Sequence, residues 1–203
     1  MLAFHYDTID STNEEAKRLL NKGQITENAF IVAREQTAGR GRLGHRWSSP
    51  RNVGIYLTVI QPGEHDVRPE TTTQTLAAGV ACVSAIRQET GLTVQLKPIN
   101  DLVIENKKLG GILTESIIQQ GKILAVITGI GINMHPAQRQ VESGALPPTC
   151  LADHLSNQQM QAIDVNALVA RLVTEILAWN NRVFSGKIEM VKKAWQAHGI
   201  DPA

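Results

Sequence analysis

Between residues 36 and 47 the chain reads Gln-Thr-Ala-Gly-Arg-Gly-Arg-Leu-Gly-His-Arg-Trp, a set of residue types suited to handling an anion. Gly39, Gly41 and Gly44 are free to adopt positive φ and to let backbone N–H groups approach a ligand closely. Arg40, Arg42 and Arg46 bring three guanidinium groups into the same stretch. Each stays charged and offers a planar fork that matches carboxylate or phosphate oxygens. Such a stretch adds little to a core and suits a mobile loop that closes over a nucleotide phosphate or an acyl phosphate. Arg-Gly pairs also occur in solvated loops and in RNA-binding tails. Apolar runs at 29–33 and 53–60 flank this one, so a loop between two strands is the expectation.

Three further stretches carry chemistry. Lys97 stands at a strand end before Pro-Ile-Asn-Asp at 98–101, a common place for a site residue and equally for a solvated lysine. Gly110 and Gly111 open the next strand but one, where a glycine pair marks a bulge or a close approach to the backbone. Gly129-Ile130-Gly131 ends a strongly apolar run just before Asn133. It lacks the third glycine and following helix of a dinucleotide fingerprint. Glycines at alternate positions instead strip one face of a strand, as if to seat a flat ligand.

The elements that must position these groups follow from periodicity and punctuation. A short strand at 3–9 leads to a helix that Ser11 or Thr12 caps, with Glu14 or Glu15 completing a capping box and Gly23 as the stop. Taken alone, Ser11, Thr12 and Asn13 are therefore capping residues. Strands at 29–35 and 53–60 bracket the Arg-Gly loop, and 61–69 is turn-rich. A helix at 71–90 carries Leu76, Val80, Val83 and Ile86 on one face. Strands follow at 92–96, 102–105, 109–115 and 123–132, with 106–108 as a hairpin turn. A loop spans 136–149, a short helix 151–155, and longer helices 165–184 and 187–198. Helices are few and separated, without strict strand-helix alternation, so the class is α+β.

At 203 residues the chain is long enough to bury a real core in one domain. A net charge of +1 excludes broad, charge-driven nucleic-acid binding and leaves the positive charge local. Cys82 and Cys150 are too few for a disulfide framework and fit reduced thiols of a cytoplasmic protein. Cys82 lies inside a helix and reads as packing, with no neighbouring cation to activate it. The first residues lack a signal-peptide pattern, and no apolar run approaches the roughly 20 residues that span a bilayer.

Taken together, Asp10-Ser11-Thr12-Asn13, the 36–47 stretch, Lys97 to Asp101, Lys108 to Glu115 and Gly129 to Met134 resemble the biotin–protein ligase family, in its order. The resemblance implies a mixed β-sheet with helices mainly on one face, the biotin/lipoate ligase-like (class II synthetase-like) catalytic domain. It also implies that biotin and ATP give biotinyl-5′-adenylate, with Mg²⁺ expected and its ligands unidentified. A lysine of the biotin carboxyl carrier protein of acetyl-CoA carboxylase then takes the biotin. Carried over residue by residue, Ser11, Thr12, Asn13 and Gln36 form the biotin-ring pocket. Arg40, Gly41 and Arg42 close over the acyl phosphate, and Lys97 is the cation at the reacting carboxylate. Gly110 and Gly111 lie on the biotin side, and Arg42, Trp47, Lys97 and Asn133 meet the nucleotide.

The chain departs from the family pattern in two places. Pro98-Ile99 replaces the usual tryptophan after the strand-end lysine, and Pro147-Pro148-Thr149 occupies the region that often holds an aromatic for adenine. The expected organisation is one catalytic domain over 1–203. The N-terminal winged-helix domain is expected to be absent, and the small C-terminal β-barrel absent or truncated. No operator or membrane binding is expected, and both monomer and homodimer stay open. Two rival readings remain: a lipoate or octanoate ligase or transferase of the same fold, and a non-catalytic biotin-binding module.

Overall fold

The computed structural model of the chain describes residues 1–66, 73–138 and 146–200. Among these residues seven strands form one mixed sheet in the order β1-β2-β3-β7-β6-β5-β4. The strands are β1 (Leu2–Tyr6), β2 (Ala29–Ala33), β3 (Gly54–Asp66), β4 (Gln95–Lys97), β5 (Asp101–Ile104), β6 (Lys107–Gln119) and β7 (Lys122–Asn133). Only the β1–β2 pair is parallel, and α1 (Thr12–Asn21) makes the crossover that a parallel pair requires. The remaining helices are α2 (Thr73–Thr90), α3 (Asn157–Ala162), α4 (Val165–Phe184) and α5 (Ile188–Gln196). Among the described residues no helix is long and apolar enough to cross a membrane.

The helices divide unequally between the two faces. On one face Ile55, Leu57 and Val59 of β3 join Ile130 and Ile132 of β7 and Ile112 of β6, and α2 and α4 bury this layer. α2 is buried nearly all round because α4 and α5 lie on its outer side. α4 is amphipathic, with Leu168, Leu172, Val173 and Ile176 turned inward from an Asp164 cap. On the other face α1 alone packs, through Ala16 and Leu19, on Ile31, Ile60 and Ile127. It leaves the ends of β5, β6 and β7 on that face uncovered by helix, and there the cleft forms.

The α+β class, with helices mainly on one face, is as the sequence indicates. Ser11 caps α1 by accepting from the Glu14 N–H at 3.5 Å. Two elements differ from the reading. β3 runs on to Asp66 where turns were expected, because Gln61 and Pro62 keep pairing with Val126 and Ala125 before the register shifts. Residues 157–162 form a helix capped by Ser156 with a reciprocal Gln159 contact, in a stretch whose polar side chains give no apolar periodicity. The expected helix start at 71–72, part of the 61–69 turn region and part of the 136–149 loop lie outside the described residues.

Candidate active site

Paired residues in antiparallel strands share a face, so the register defines the floor of the cleft. Tyr56, Gly131, Gly111, Asp101 and Lys97 form one row across β3, β7, β6, β5 and β4, and Thr58, Gly129 and Leu113 form the next. The rows are bare of side chains at positions 111, 129 and 131, and the protein's own groups lie there. The Asn13 carboxamide occupies the place where a Cβ on Gly129 would stand. The Trp47 indole occupies the place where a Cβ on Gly131 would stand, and it lies 3.3 Å from the Cβ position of Gly111. The alternate glycines thus seat an indole and an amide from distant parts of the chain. Gly131→Ala drives a methyl group into the indole, and overpacking of this kind costs about 1–3 kcal/mol. A lower melting temperature and altered tryptophan fluorescence are expected; an unchanged spectrum and melt would mean that Trp47 rests elsewhere.

At one end of the cleft the polar groups interlock. Gln36 Oε1 accepts from the Thr12 backbone N–H at 2.8 Å and from its hydroxyl at 3.0 Å, while Gln36 Nε2 donates to Ser49 Oγ at 2.8 Å. The Thr58 hydroxyl lies 2.8 Å from Thr12 Oγ1 and 2.7 Å from Asn13 Oδ1, and its single proton serves one of them. Asn13 Nδ2 donates to Glu115 at 2.9 Å. Ser11, Thr12, Asn13 and Thr58 are all buried. Buried hydroxyl and amide groups held in fixed orientation suit a small polar ring system with both donors and acceptors.

The opposite lip is cationic. The loop folds as a narrow ribbon: Trp47 N donates to Gly39 O at 2.9 Å, and Gly41 N donates to His45 O at 2.8 Å. A tight turn at Arg42–Gly44 closes it, with Leu43 at φ 54° and Gly44 at φ 82°. Arg40, Arg42, Arg46 and Lys108 all line the cleft, against a single lining carboxylate, Asp101, among the described residues. Arg40 is ion-paired to Glu14, Arg46 donates to the Thr37 carbonyl at 3.3 Å, and Lys108 sits 2.8 Å from Asp101. The Arg42 side chain is half-buried, and its guanidinium has no hydrogen bond or ion pair among the described residues.

Residues 146–150 supply the wall beside Lys108. Lys108 N donates to Pro147 O at 2.8 Å, and Thr149 N returns a bond to Lys108 O at 2.9 Å. Asn133 Nδ2 donates to the Thr149 carbonyl at 2.9 Å. Asn133 Oδ1 and Trp47 Nε1 are buried without a partner among the described residues. One free acceptor and one free donor in a cleft wall each cost roughly 1–3 kcal/mol unless a ligand meets them.

The cleft holds about 310 Å³, at the small end of the range for ligand sites. Ser11, Thr12, Asn13, Gln36, Arg40, Gly41, Arg42, Trp47, Gly111 and Asn133 line it together. Two sequence candidates do not. Gly110 pairs with Ile132 and Leu102 in a core-facing row, and a Cβ there would stand 2.5 Å from the Gly131 carbonyl oxygen and 3.0 Å from Leu102 Cδ1. Lys97 lies on the cleft face but on edge strand β4, one position beyond Asp101, and it is not a lining residue.

The lysine within the walls is Lys108, 5.6 Å from the Trp47 ring centroid. The register shift between Leu102 and Val103 leaves Leu109 as an extra residue, and Lys108 lies beyond it. In the sequence Lys108 falls in a presumed turn; its place directly before the Leu-Gly-Gly stretch was the available signal.

Neither cysteine lines the cleft. Burial pushes the Cys82 thiol up to about 12, and burial together with the Asp153 carboxylate pushes Cys150 up to about 11. Both are protonated at neutral pH and unfit as nucleophiles. Native protein is expected to resist iodoacetamide, and unfolding is expected to expose two reactive thiols. Rapid alkylation of either thiol in native protein would reopen acyl transfer through cysteine.

The model of the biotin/lipoate A/B protein ligase family matches residues 6–133. The bifunctional ligase/repressor BirA of Bacillus subtilis is 37% identical over 132 residues, covering 64% of this chain and 40% of that protein. Against this relative the chain thus spans about two fifths of the full length. The biotin–[acetyl-CoA-carboxylase] ligase of Paracoccus denitrificans is 30% identical over 196 residues, covering 93% of this chain and 77% of its own length. The solved biotin protein ligase of Aquifex aeolicus in complex with biotin and ATP matches with a TM-score of 0.73 and 24% identity, over 98% of this chain and 78% of that one. At that identity the likeness establishes the fold.

Proposed function

The chain belongs to the biotin/lipoate A/B protein ligase family, and from that premise we propose that it joins biotin to ATP as biotinyl-5′-adenylate and passes the biotinyl group to a lysine. The acceptor we propose is biotin carboxyl carrier protein. The observation that carries this reading is the polarity of the cleft: fixed hydroxyl and amide groups at one end, four cations at the other. Biotin's ureido ring has N–H donors and a carbonyl acceptor, which the corner of Ser11, Thr12, Asn13 and Gln36 is equipped to pair. Its valeryl chain would pass along the apolar side of Trp47.

In the first step a biotin carboxylate oxygen attacks the α-phosphorus of ATP, a C–O–P linkage forms, and the bond to the β-phosphate oxygen breaks to release pyrophosphate. The step brings two anions together. At ~4 Å two unit charges repel by about 1 kcal/mol in water and about 4 kcal/mol at an effective dielectric near 20. Fixed cations already in place offset that cost without reorganisation. Arg42 and Lys108 are the proposed groups at the new anhydride, with Arg40 joining from the loop. In the second step an acceptor amine attacks the acyl carbon, the C–O bond to phosphate breaks, AMP leaves, and the amine proton passes to solvent.

Mg²⁺ ordinarily keeps several waters and binds through one or two carboxylates plus substrate phosphates. Among the described residues Asp101 is the one lining carboxylate, which fits an ion that arrives on the nucleotide. Asp101 would hold that ion, which would neutralise phosphate charge. The loop's part is to cover the mixed anhydride, which water would otherwise hydrolyse.

Titration calorimetry with biotin and with lipoate tests the substrate. Heat with biotin and none with lipoate is expected; heat with lipoate alone would overturn the assignment.

A further inference from the structure

Arg40 and Asn13 sit on different walls of the cleft, yet one chain of charged groups joins them. Arg40 is ion-paired to Glu14 Oε1, Lys17 reaches the same oxygen at 2.9 Å, and Lys17 also reaches Glu115 Oε1 at 2.8 Å. Glu115 Oε2 in turn accepts from Asn13 Nδ2 at 2.9 Å. The chain runs along α1 to the middle of β6, outside the cleft lining: Glu14, Lys17 and Glu115 are positioning groups, not lining ones. The Lys17 ammonium beside Glu14 holds its carboxyl below the usual carboxylate range against the opposing effect of burial, so the group is ionised at neutral pH.

We propose that Glu14 is the resting counter-ion of the Arg40 loop, an internal anion that holds the guanidinium at the mouth of the cleft and yields it to the anionic reaction centre. The proposal deepens the reading of the cleft as an acyl-phosphate site and rests on it. The Arg42 guanidinium has no such partner among the described residues, so Arg40 and Arg42 have different roles: Arg42 stands ready, and Arg40 must exchange the Glu14 carboxylate for the anion of the reaction centre. Both partners are partly exposed, with side-chain accessibilities of 49% for Arg40 and 31% for Glu14. A pair this wet shifts an equilibrium by at most about fivefold. That weakness is what an exchangeable tether requires, because a strong pair would hold Arg40 away from the substrate.

The test reads the loop in the free protein, so its outcome does not depend on what the cleft binds. The Arg42–Leu43 bond lies at the loop tip, where Leu43 is 88% exposed. Its cleavage by trypsin, followed by mass spectrometry, is expected to be three- to fivefold faster in Glu14→Gln than in wild type, on the order of one exposed ion pair. Salt should accelerate cleavage of wild type and leave Glu14→Gln unchanged, since screening weakens only the pair. The charge-reversed double variant Glu14→Lys with Arg40→Glu should return the rate toward wild type, which a merely structural role for Glu14 would not produce. Equal cleavage and equal salt response in wild type and Glu14→Gln would overturn the proposal. Failure of biotin to bind would instead count against the assigned substrate and leave the loop result standing.

Discussion

Lys108→Ala is expected to slow formation of biotinyl-5′-adenylate by about 100-fold or more, while Lys97→Ala changes it by less than about threefold. The contrast follows from register. Both lysines lie near the same sheet face, but Lys108 is inside the cleft against Trp47 and Asp101, and Lys97 is on the edge strand outside the lining. Removing one fixed group that stabilises developing charge typically costs roughly 2.7–4 kcal/mol, or a factor of about 10²–10³. Pyrophosphate release in a single turnover is the measurement. A large loss in Lys97→Ala with a small one in Lys108→Ala would reverse the assignment of the two side chains and return the reacting cation to the position that family resemblance gives it.

The second large effect is expected at Arg42. Arg42→Ala should still bind biotin, because the polar corner of Thr12, Gln36 and Thr58 closes its hydrogen bonds without the loop. It should lose the adenylate at least about tenfold faster, the consequence of one charge-assisted contact of roughly 1.5–3 kcal/mol. Rapid dilution of enzyme carrying labelled intermediate, followed by filtration, reads this directly. Retention equal to wild type would remove the guanidinium from the mechanism. Because Arg42 has no internal partner among the described residues, its loss breaks no ion pair there, and the melting temperature is expected to hold. A reduced adenylate lifetime with unchanged stability therefore separates a role at the ligand from a role in the fold.

What was legible in the sequence is what short-range chemistry determines. The Arg-Gly loop between two strands, the Ser11 cap, the amphipathic α4 and the α+β class each follow from neighbouring residues. In the polar corner Ser11 to Asn13 and Gln36 are legible because they belong to motifs with recognisable order, whereas Thr58, Ser49 and Glu115 join it only through the fold. What was not legible depends on register, which a local pattern leaves open by one residue. Gly110 and Gly111 are adjacent and alike in sequence, yet only Gly111 faces the cleft. Lys108 reaches the cleft beyond a one-residue bulge, and nothing in the residues 106–108 distinguishes that bulge from a turn. Gly129 and Gly131 were legible as a stripped face but not for what covers it, since Asn13 and Trp47 arrive from positions roughly a hundred residues away. The Glu14–Lys17–Glu115 chain is equally non-local: helix spacing explains the first contact, and only the fold supplies the second.

Every role assigned to these residues depends on the cleft making an acyl adenylate. Biotin-dependent exchange of labelled pyrophosphate into ATP, with no acceptor protein present, tests it most directly, since exchange requires reversible adenylate formation and nothing else. The cleft described here predicts exchange that appears with biotin, is absent without it and falls about 100-fold or more in Lys108→Ala. Tight biotin binding with no exchange at any ATP and Mg²⁺ concentration would contradict it and leave a biotin-binding module in its place.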